Sequence, residues 1–150
     1  MTRTLKALVF LSYTLLSTAS IAASLEQDFS KISLKTTHVR GNIYMLEGVG
    51  GFSGGNIGVS AGKDGILLID DQLSPMSEKI NHALAEINPG KLRFILNTHW
   101  HGDHTGSNAE LSKQATIISH SNVRQRLMAE QNNFFGKSPA SAEAAWPLIT

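Results

Sequence analysis

The sequence predicts one α/β domain (α+β by some schemes), on three observations. Two short, unbroken apolar runs stand at residues 66–69 and Leu92–Leu96. A stretch of helical period lies between them, and a period-two pattern precedes them from Asn42 onward. Unbroken apolar runs suit strands covered on both faces, and a helix joining two of them makes a right-handed crossover between parallel strands.

Arg3 and Lys6 open the chain, followed by an apolar stretch at 7–16 and then by small residues. This is the layout of a secretory signal peptide, with Ser20 and Ala22 placed for a cut between Ala22 and Ala23. The apolar stretch is interrupted by Ser12, Thr14, Ser17 and Thr18. It falls short of the roughly 20 apolar residues that span a bilayer, so no membrane anchor is expected after cleavage. Residues 1–22 are therefore expected to be a leader and 23–41 a lead-in. No twin arginine is present, which favours the general secretory route and an exported, periplasmic location.

From Asn42, Ile43 and Met45 alternate with Tyr44 and Leu46, and Ile57, Val59 and Ala61 alternate with small polar residues, giving two short strands. Between them, residues 48–58 hold six of the chain's 13 glycines. This segment reads either as a mobile hairpin flap with Val49 and Phe52 near its tip or as an ordinary flexible turn. It is not a phosphate loop: no Gly-Lys-Ser/Thr follows, and a GxGxxG frame from Gly48 fails at Ser53.

After the run at 66–69, Ser74 is a good N-cap and Pro75 suits the first helical position. Met76, Ile80, Ala83, Leu84 and Ile87 then share one helical face, and Pro89 with Gly90 ends the helix. His82 lies off that stripe and reads as a solvated histidine rather than a ligand. Leu92–Leu96 is the next strand, a short helix covers 107–113, 116–119 forms another strand, and Ser121 caps a further helix. In parallel sheets of this kind the chemistry collects beyond the C-terminal ends of the strands.

Composition narrows the function. Among 150 residues, 41% are hydrophobic and 17% charged, which suits a folded domain. The formal charge is +1, and without Arg3 and Lys6 the balance is 11 basic to 12 acidic residues. That offers no basic footprint for nucleic acid. Cysteine is absent, so disulfides, a thiolate nucleophile and Cys-ligated zinc are excluded. A metal site must use His, Asp or Glu.

Directly after Leu92–Leu96 come Asn97, Thr98, His99, Trp100, His101, Gly102, Asp103, His104, Thr105 and Gly106. Three of the six histidines and an aspartate fall within six residues. Imidazole and carboxylate suit zinc and related divalent metals. In an extended segment His99 and His101 project to one side and can grip one ion. A turn after Gly102, permitted by the missing side chain, redirects Asp103 and His104 to a second. Trp100 reads as packing.

His99, His101, Asp103 and His104 in this spacing resemble the HxHxDH motif of the metallo-β-lactamase superfamily. The resemblance extends over about 42–128: the glycine-rich segment is similar to that family's flap, and the strand ending at Asp70 to the strand that ends in its first motif aspartate. It implies that His99 and His101 bind a first zinc, that Asp103 and His104 bind a second, and that Asp70 braces the metal loop. Asp71 has no counterpart in the motif and is expected to be solvated. The family also needs a further His, a bridging Asp and another His from later strands of an αββα sandwich, and no such positions follow here. His120 is the only later histidine, and it is assigned to a supporting or structural role rather than to ligation. Residues 146–150 read as a strand just begun, so 42–150 is expected to be the N-terminal half of the sandwich, truncated at its C-terminus. The implied activity is that of a zinc-dependent hydrolase acting on a small-molecule ester, thioester or lactam, with hydroxide made available on zinc and Asp103 orienting it. The alternative is an inert, truncated metal-binding fragment. Oligomeric state is not legible.

Overall fold

The computed structural model of the chain describes residues 27–87, 90–133 and 136–150. The leader at 1–22 and the helix-ending Pro89 lie outside them. Six strands form one sheet in sequence order: β1 (Ser33–Arg40), β2 (Ile43–Val49), β3 (Ile57–Gly62), β4 (Gly65–Ile69), β5 (Leu92–Leu96) and β6 (Thr116–Ile118). The first four are an antiparallel meander, and β4, β5 and β6 are parallel. Helix α1 (Ser77–Ile87) makes the first parallel crossover; two single-turn helices, α2 (Gly102–Thr105) and α3 (Asn108–Leu111), lie in the second. Helix α4 (Ser121–Leu127) and a small hairpin of β7 (Gln131–Asn133) and β8 (Gly136–Ser138) follow.

Strand β1 occupies the stretch expected as a lead-in. Its side chains are mostly polar and exposed, and it is held to β2 by backbone pairing along an edge, so apolar alternation could not reveal it. The helix start also differs. A 3-10 turn at Ser74–Met76 precedes α1, and Ser74 makes no side-chain cap; its carbonyl instead accepts the Ser77 hydroxyl at 3.1 Å. Met76 N–H donates to Leu73 O at 2.9 Å, which keeps this entry tight. At α4 the cap is His120, not Ser121: in extended conformation, its Nδ1 accepts Asn122 N–H at 3.1 Å. The expected strand at the end of the chain is present in outline, with Ile149 bridged in parallel to Ile118.

Met76, Ile80, Ala83 and Leu84 bury the predicted stripe in a core with Leu46, Val59, Leu68, Ile95 and Ile117. His82 is exposed, 3.6 Å from Glu86. The opposite face is not covered as the apolar runs suggest: Ile43, Ile69 and Leu96 are 43%, 40% and 38% exposed. Among the described residues the sheet is layered on one side.

The loop after β4 is the hub of the fold. Asp70 and Gln72 adopt φ of 64° and 58°, a region that costs non-glycine residues of order 1–3 kcal/mol and is kept only where surroundings over-determine it. Those surroundings are the flap root on one side and α2 on the other. Leu73 N–H donates to Ser53 O at 3.0 Å and Gln72 Nε2 to Gly55 O at 2.8 Å. Asp71 N–H donates to His104 O at 3.1 Å, and Gly106 N–H to Gln72 O at 2.9 Å. Two glycines permit this approach. Gly54, at φ 116°, has no room for a Cβ between Gln72 and the Asp103 carbonyl, and a Cβ on Gly106 would meet Ser74 N at 2.6 Å and Gln72 O at 2.7 Å.

Candidate metal centre

The parallel strands end where the chemistry-bearing loop begins. Asp70 N–H continues the ladder to Leu96 O at 3.0 Å, and Asn97 N–H to Ile118 O at 3.0 Å, so both loops start from fixed backbone. The chain then bends through 98–101 to His101, the N-cap of α2 in extended conformation, and the helical turn carries Asp103 and His104 back toward His99. The result is one cluster. Ligand atoms of His99, Asp103 and His104 all lie within 4.8 Å of one another.

Asp70 organises that cluster and is itself only 6% exposed. Its Oδ1 accepts Thr98 N–H at 2.7 Å; its Oδ2 accepts the Thr98 hydroxyl at 2.7 Å and His104 Nδ1–H at 2.8 Å. Because the Thr98 proton is committed to Asp70, the 3.1 Å contact between Thr98 Oγ1 and His99 Nδ1 has the imidazole donating. One carboxylate thus leaves Nε2 of both His99 and His104 as the free lone pair, directly for one and through a hydroxyl for the other. His104 Nε2 faces Asp103 Oδ2 at 3.3 Å. Burial pushes the His99 imidazole below its ordinary 6.5, as do its neighbours His104 and His101, against the opposite pull of Asp70 and Asp103. A neutral ring is the form that binds metal.

His101 lies beside this cluster, its ring centroid 5.0 Å from that of His99. It is exposed, its ring packs edge-on to Trp100 with centroids 4.4 Å apart, and it does not join the three-residue group. Of the expected pairs, the rings of His99 and His101 have centroids 5.0 Å apart and His104 Nε2 faces Asp103 Oδ2 at 3.3 Å, while α2 also folds Asp103 and His104 back toward His99. Gly102 does not enable the turn: a Cβ there would meet nothing within 4 Å. Trp100, expected to be packing, is half-buried and lines the adjoining cleft. His120 is spent on capping α4.

Asp71 corrects the largest misreading. It is fully buried, not solvated. Its Oδ1 accepts Ser107 N–H at 3.0 Å, and Oδ2 has no hydrogen-bond partner among the described residues. Burial pushes its carboxyl well above the ordinary carboxylate range, opposed by the Ser107 bond and reinforced by neighbouring Asp70. Asn97 and Asn108 also escaped sequence reasoning. Asn97 Nδ2 donates to His104 O at 3.2 Å, while Asn108 Nδ2 donates to Asn97 Oδ1 and Ala145 O, both at 2.9 Å. The signal available for Asn97 was a polar residue ending an apolar strand beside the histidine cluster.

The donor set fits a divalent metal of borderline softness: two imidazole nitrogens, one carboxylate oxygen, and a carboxylate behind the histidines. The sequence profile of the metallo-beta-lactamase superfamily matches residues 50–139. The chain belongs to this superfamily. The metallo-β-lactamase fold is evident too in solved structures. A metallo-β-lactamase of Novosphingobium pentaromativorans superposes with a TM-score of 0.63 at 23% identity, covering 79% of this chain and 46% of that one. A subclass B3 metallo-β-lactamase from a soil metagenome library gives 0.60 at 23% identity, with 74% and 44% covered. A class B3 di-zinc metallo-β-lactamase from an Alaskan soil metagenome gives 0.58 at 19% identity, with 82% and 46% covered. The chain thus spans about half the length of these metallo-β-lactamases. No curated protein matches it.

Proposed function

We propose that the chain supplies the metal-binding half of a zinc-dependent hydrolase acting on an ester, thioester or lactam carbonyl of a small molecule. The observation that carries this reading is the cluster of His99, Asp103 and His104, whose ligand atoms lie within 4.8 Å of one another while Asp70 is bonded to the His104 ring and, through Thr98, to the His99 ring. His99, Asp103 and His104 would hold an ion there, and His101 at the cleft edge is a further donor for a two-ion site. Zinc bound there would lower the pKa of water to about 7 and polarise a carbonyl. Asp103, whose side chain is 33% exposed and faces the cleft, orients the attacking water by accepting its hydrogen bond. Asp70 and Thr98 hold the two imidazoles in one tautomer throughout. The flap, with exposed Val49 and Phe52, closes over the substrate from the other side.

A second reading is favoured by the donor count. Among the described residues one group of three donors converges, enough for one zinc but short of a two-ion site, in which each ion needs its own ligands. The chain alone then holds metal without turnover. Elemental analysis after gel filtration, with assays on a chromogenic cephalosporin, a thioester and a phosphodiester, separates the two. Zinc-dependent turnover abolished by Asp103→Ala supports the hydrolase; retained zinc without turnover supports the second reading; no retained zinc overturns both.

Export rests on the leader pattern at 1–22, and the proposed location is the periplasm. No helix among the described residues is long and apolar enough to cross a membrane. N-terminal sequencing of secreted protein is expected to start at Ala23.

A further inference from the structure

Beside the metal cluster lies a cleft of about 820 Å³, walled by Phe52 from the flap, Leu73, Trp100 and Leu127, with His101 and Asp103 also lining it. Its walls are apolar and its charged groups few. Among the described residues lining it, Arg126 is the single Lys or Arg and Asp103 the single acid. The guanidinium of Arg126 stands 5.7 Å from the centre of the Trp100 ring, and Trp100 in turn packs on His101. The cation is therefore one indole away from the candidate ligands. Its only other contact among the described residues is one hydrogen bond, from Nη1 to Gln131 Oε1 at 3.3 Å, and no carboxylate pairs with it there. A guanidinium carries five N–H donors. Most of this fork is unspent, beside an aromatic face and open to solvent.

We infer that Arg126 and Trp100 form an anion subsite that takes the carboxylate of a small amphipathic substrate, whose apolar body lies along the cleft toward the metal cluster. This deepens the hydrolase reading and rests on it for the word substrate. A planar fork matches a planar carboxylate in two parallel hydrogen bonds, and stacking on the indole limits the entropy lost when they form. The cation–π contact adds its own attraction and fixes where the fork points. A phosphate dianion suits the site less well, because a single cation faces it and Asp103 repels it. The apolar lining binds what remains of the molecule. The same arrangement gives the half-buried tryptophan between two histidines a role: it is both the cation–π partner of Arg126 and the cleft wall.

The test uses 3-phenylpropanoate, its neutral amide and phenyl phosphate as probes. Each is titrated into zinc-free and zinc-loaded protein while the Trp100 indole N–H and Arg126 Nε–H resonances are followed by NMR. Propanoate is expected to move both resonances in the zinc-free protein, with the amide and phenyl phosphate about tenfold weaker. Arg126→Gln is expected to bring propanoate down to the amide's level, Arg126→Lys to fall between, and Trp100→Leu to weaken both acid and amide. Arg126 is exposed, and unchanged thermal unfolding of its variants confirms that they fold. Equal affinity for acid and amide, or full propanoate binding by Arg126→Gln, overturns the subsite, as does phenyl phosphate binding as well as propanoate. Propanoate binding that needs zinc and ignores Arg126→Gln also overturns it, while leaving the hydrolase reading intact. Arg126-dependent binding by a protein that retains no zinc does the reverse.

Discussion

The two ends of the metal loop are built differently. On the His99 and His104 side the imidazoles are tied to Asp70, directly or through Thr98, and α2 is held down by Asp71, Gln72 and Asn97. On the His101 and Gly102 side both residues are exposed, and among the described residues the His101 ring makes aromatic contacts with Trp100 and His99 and no side-chain hydrogen bond. Three histidines within six residues thus divide into a preorganised pair of candidate ligands and a loose one. Motif spacing shows which residues bear donors; the hydrogen bonds behind them show which donors are already aimed.

The sharpest break in this contrast is Gly106→Ala, at the clamped end. The added methyl would press on the Ser74 nitrogen and the Gln72 carbonyl, backbone atoms of the strained loop that cannot swing aside. A loss of about 3 kcal/mol of stability is expected in denaturant unfolding, with loss of metal retention. Wild-type stability would show that the loop is not clamped at all.

Next comes the relay. Asp70→Asn keeps the shape but places an amide where three donors now meet a carboxylate, so the tautomers of His99 and His104 are no longer fixed. Zinc affinity measured by competition with a chelating dye is expected to fall 10- to 100-fold, the usual cost of losing such a partner. His104→Ala should exceed that. His101→Ala, at the loose end, should cost about tenfold or less, and equal losses from the two histidines would erase the distinction.

That distinction sets the limit of what the sequence discloses. Strands at 66–69 and Leu92–Leu96 are legible because buried strands must be apolar, and the α1 stripe because one helical face must be. The donors are legible because nothing in packing accounts for three histidines and an aspartate in one short loop. Strand β1 is hidden by its polar edge, the capping role of His120 by its choice of a backbone partner, and the burial of Asp71 by a neighbour that looks equivalent in sequence. Asp70 and Asp71 are separated only by backbone conformation: a φ of 64° at Asp70 turns it to the loop and sends Asp71 inward.

Asp71 supplies a pH test. Its folded carboxyl titrates well above the ordinary 3.8, so the native state keeps a proton that the unfolded chain gives up. Its contribution to stability is full below 3.8 and declines as pH rises through the folded value. His99 acts in the opposite sense: its folded value is depressed, so stability is lost as pH falls below 6.5 through that value. Asp71→Asn mimics the neutral acid, and it is expected to flatten the acid-side slope and to gain on wild type as pH rises from 4 to 8 in urea titrations. A variant that loses ground across that interval would mean that Asp71 is ionised and paired in the folded protein.

The smallest effect is expected at Gly102, and it bears most directly on the comparison. Glycine in the motif suggests a turn that no other residue could make. Yet Gly102 opens α2 as its first residue after the His101 cap, and the position where a Cβ would stand is empty to 4 Å. Alanine is the better helix former, and at a first-turn position the difference is fractional. Gly102→Ala should therefore leave stability within about 0.5 kcal/mol of wild type, or raise it slightly by narrowing the unfolded ensemble. Zinc affinity should be unchanged, since neither the Asp70 relay nor the flap root touches this residue. A large loss of affinity with stability intact would mean that the loose end must move for metal to bind, and that His101 reaches the ion through a conformation only glycine allows.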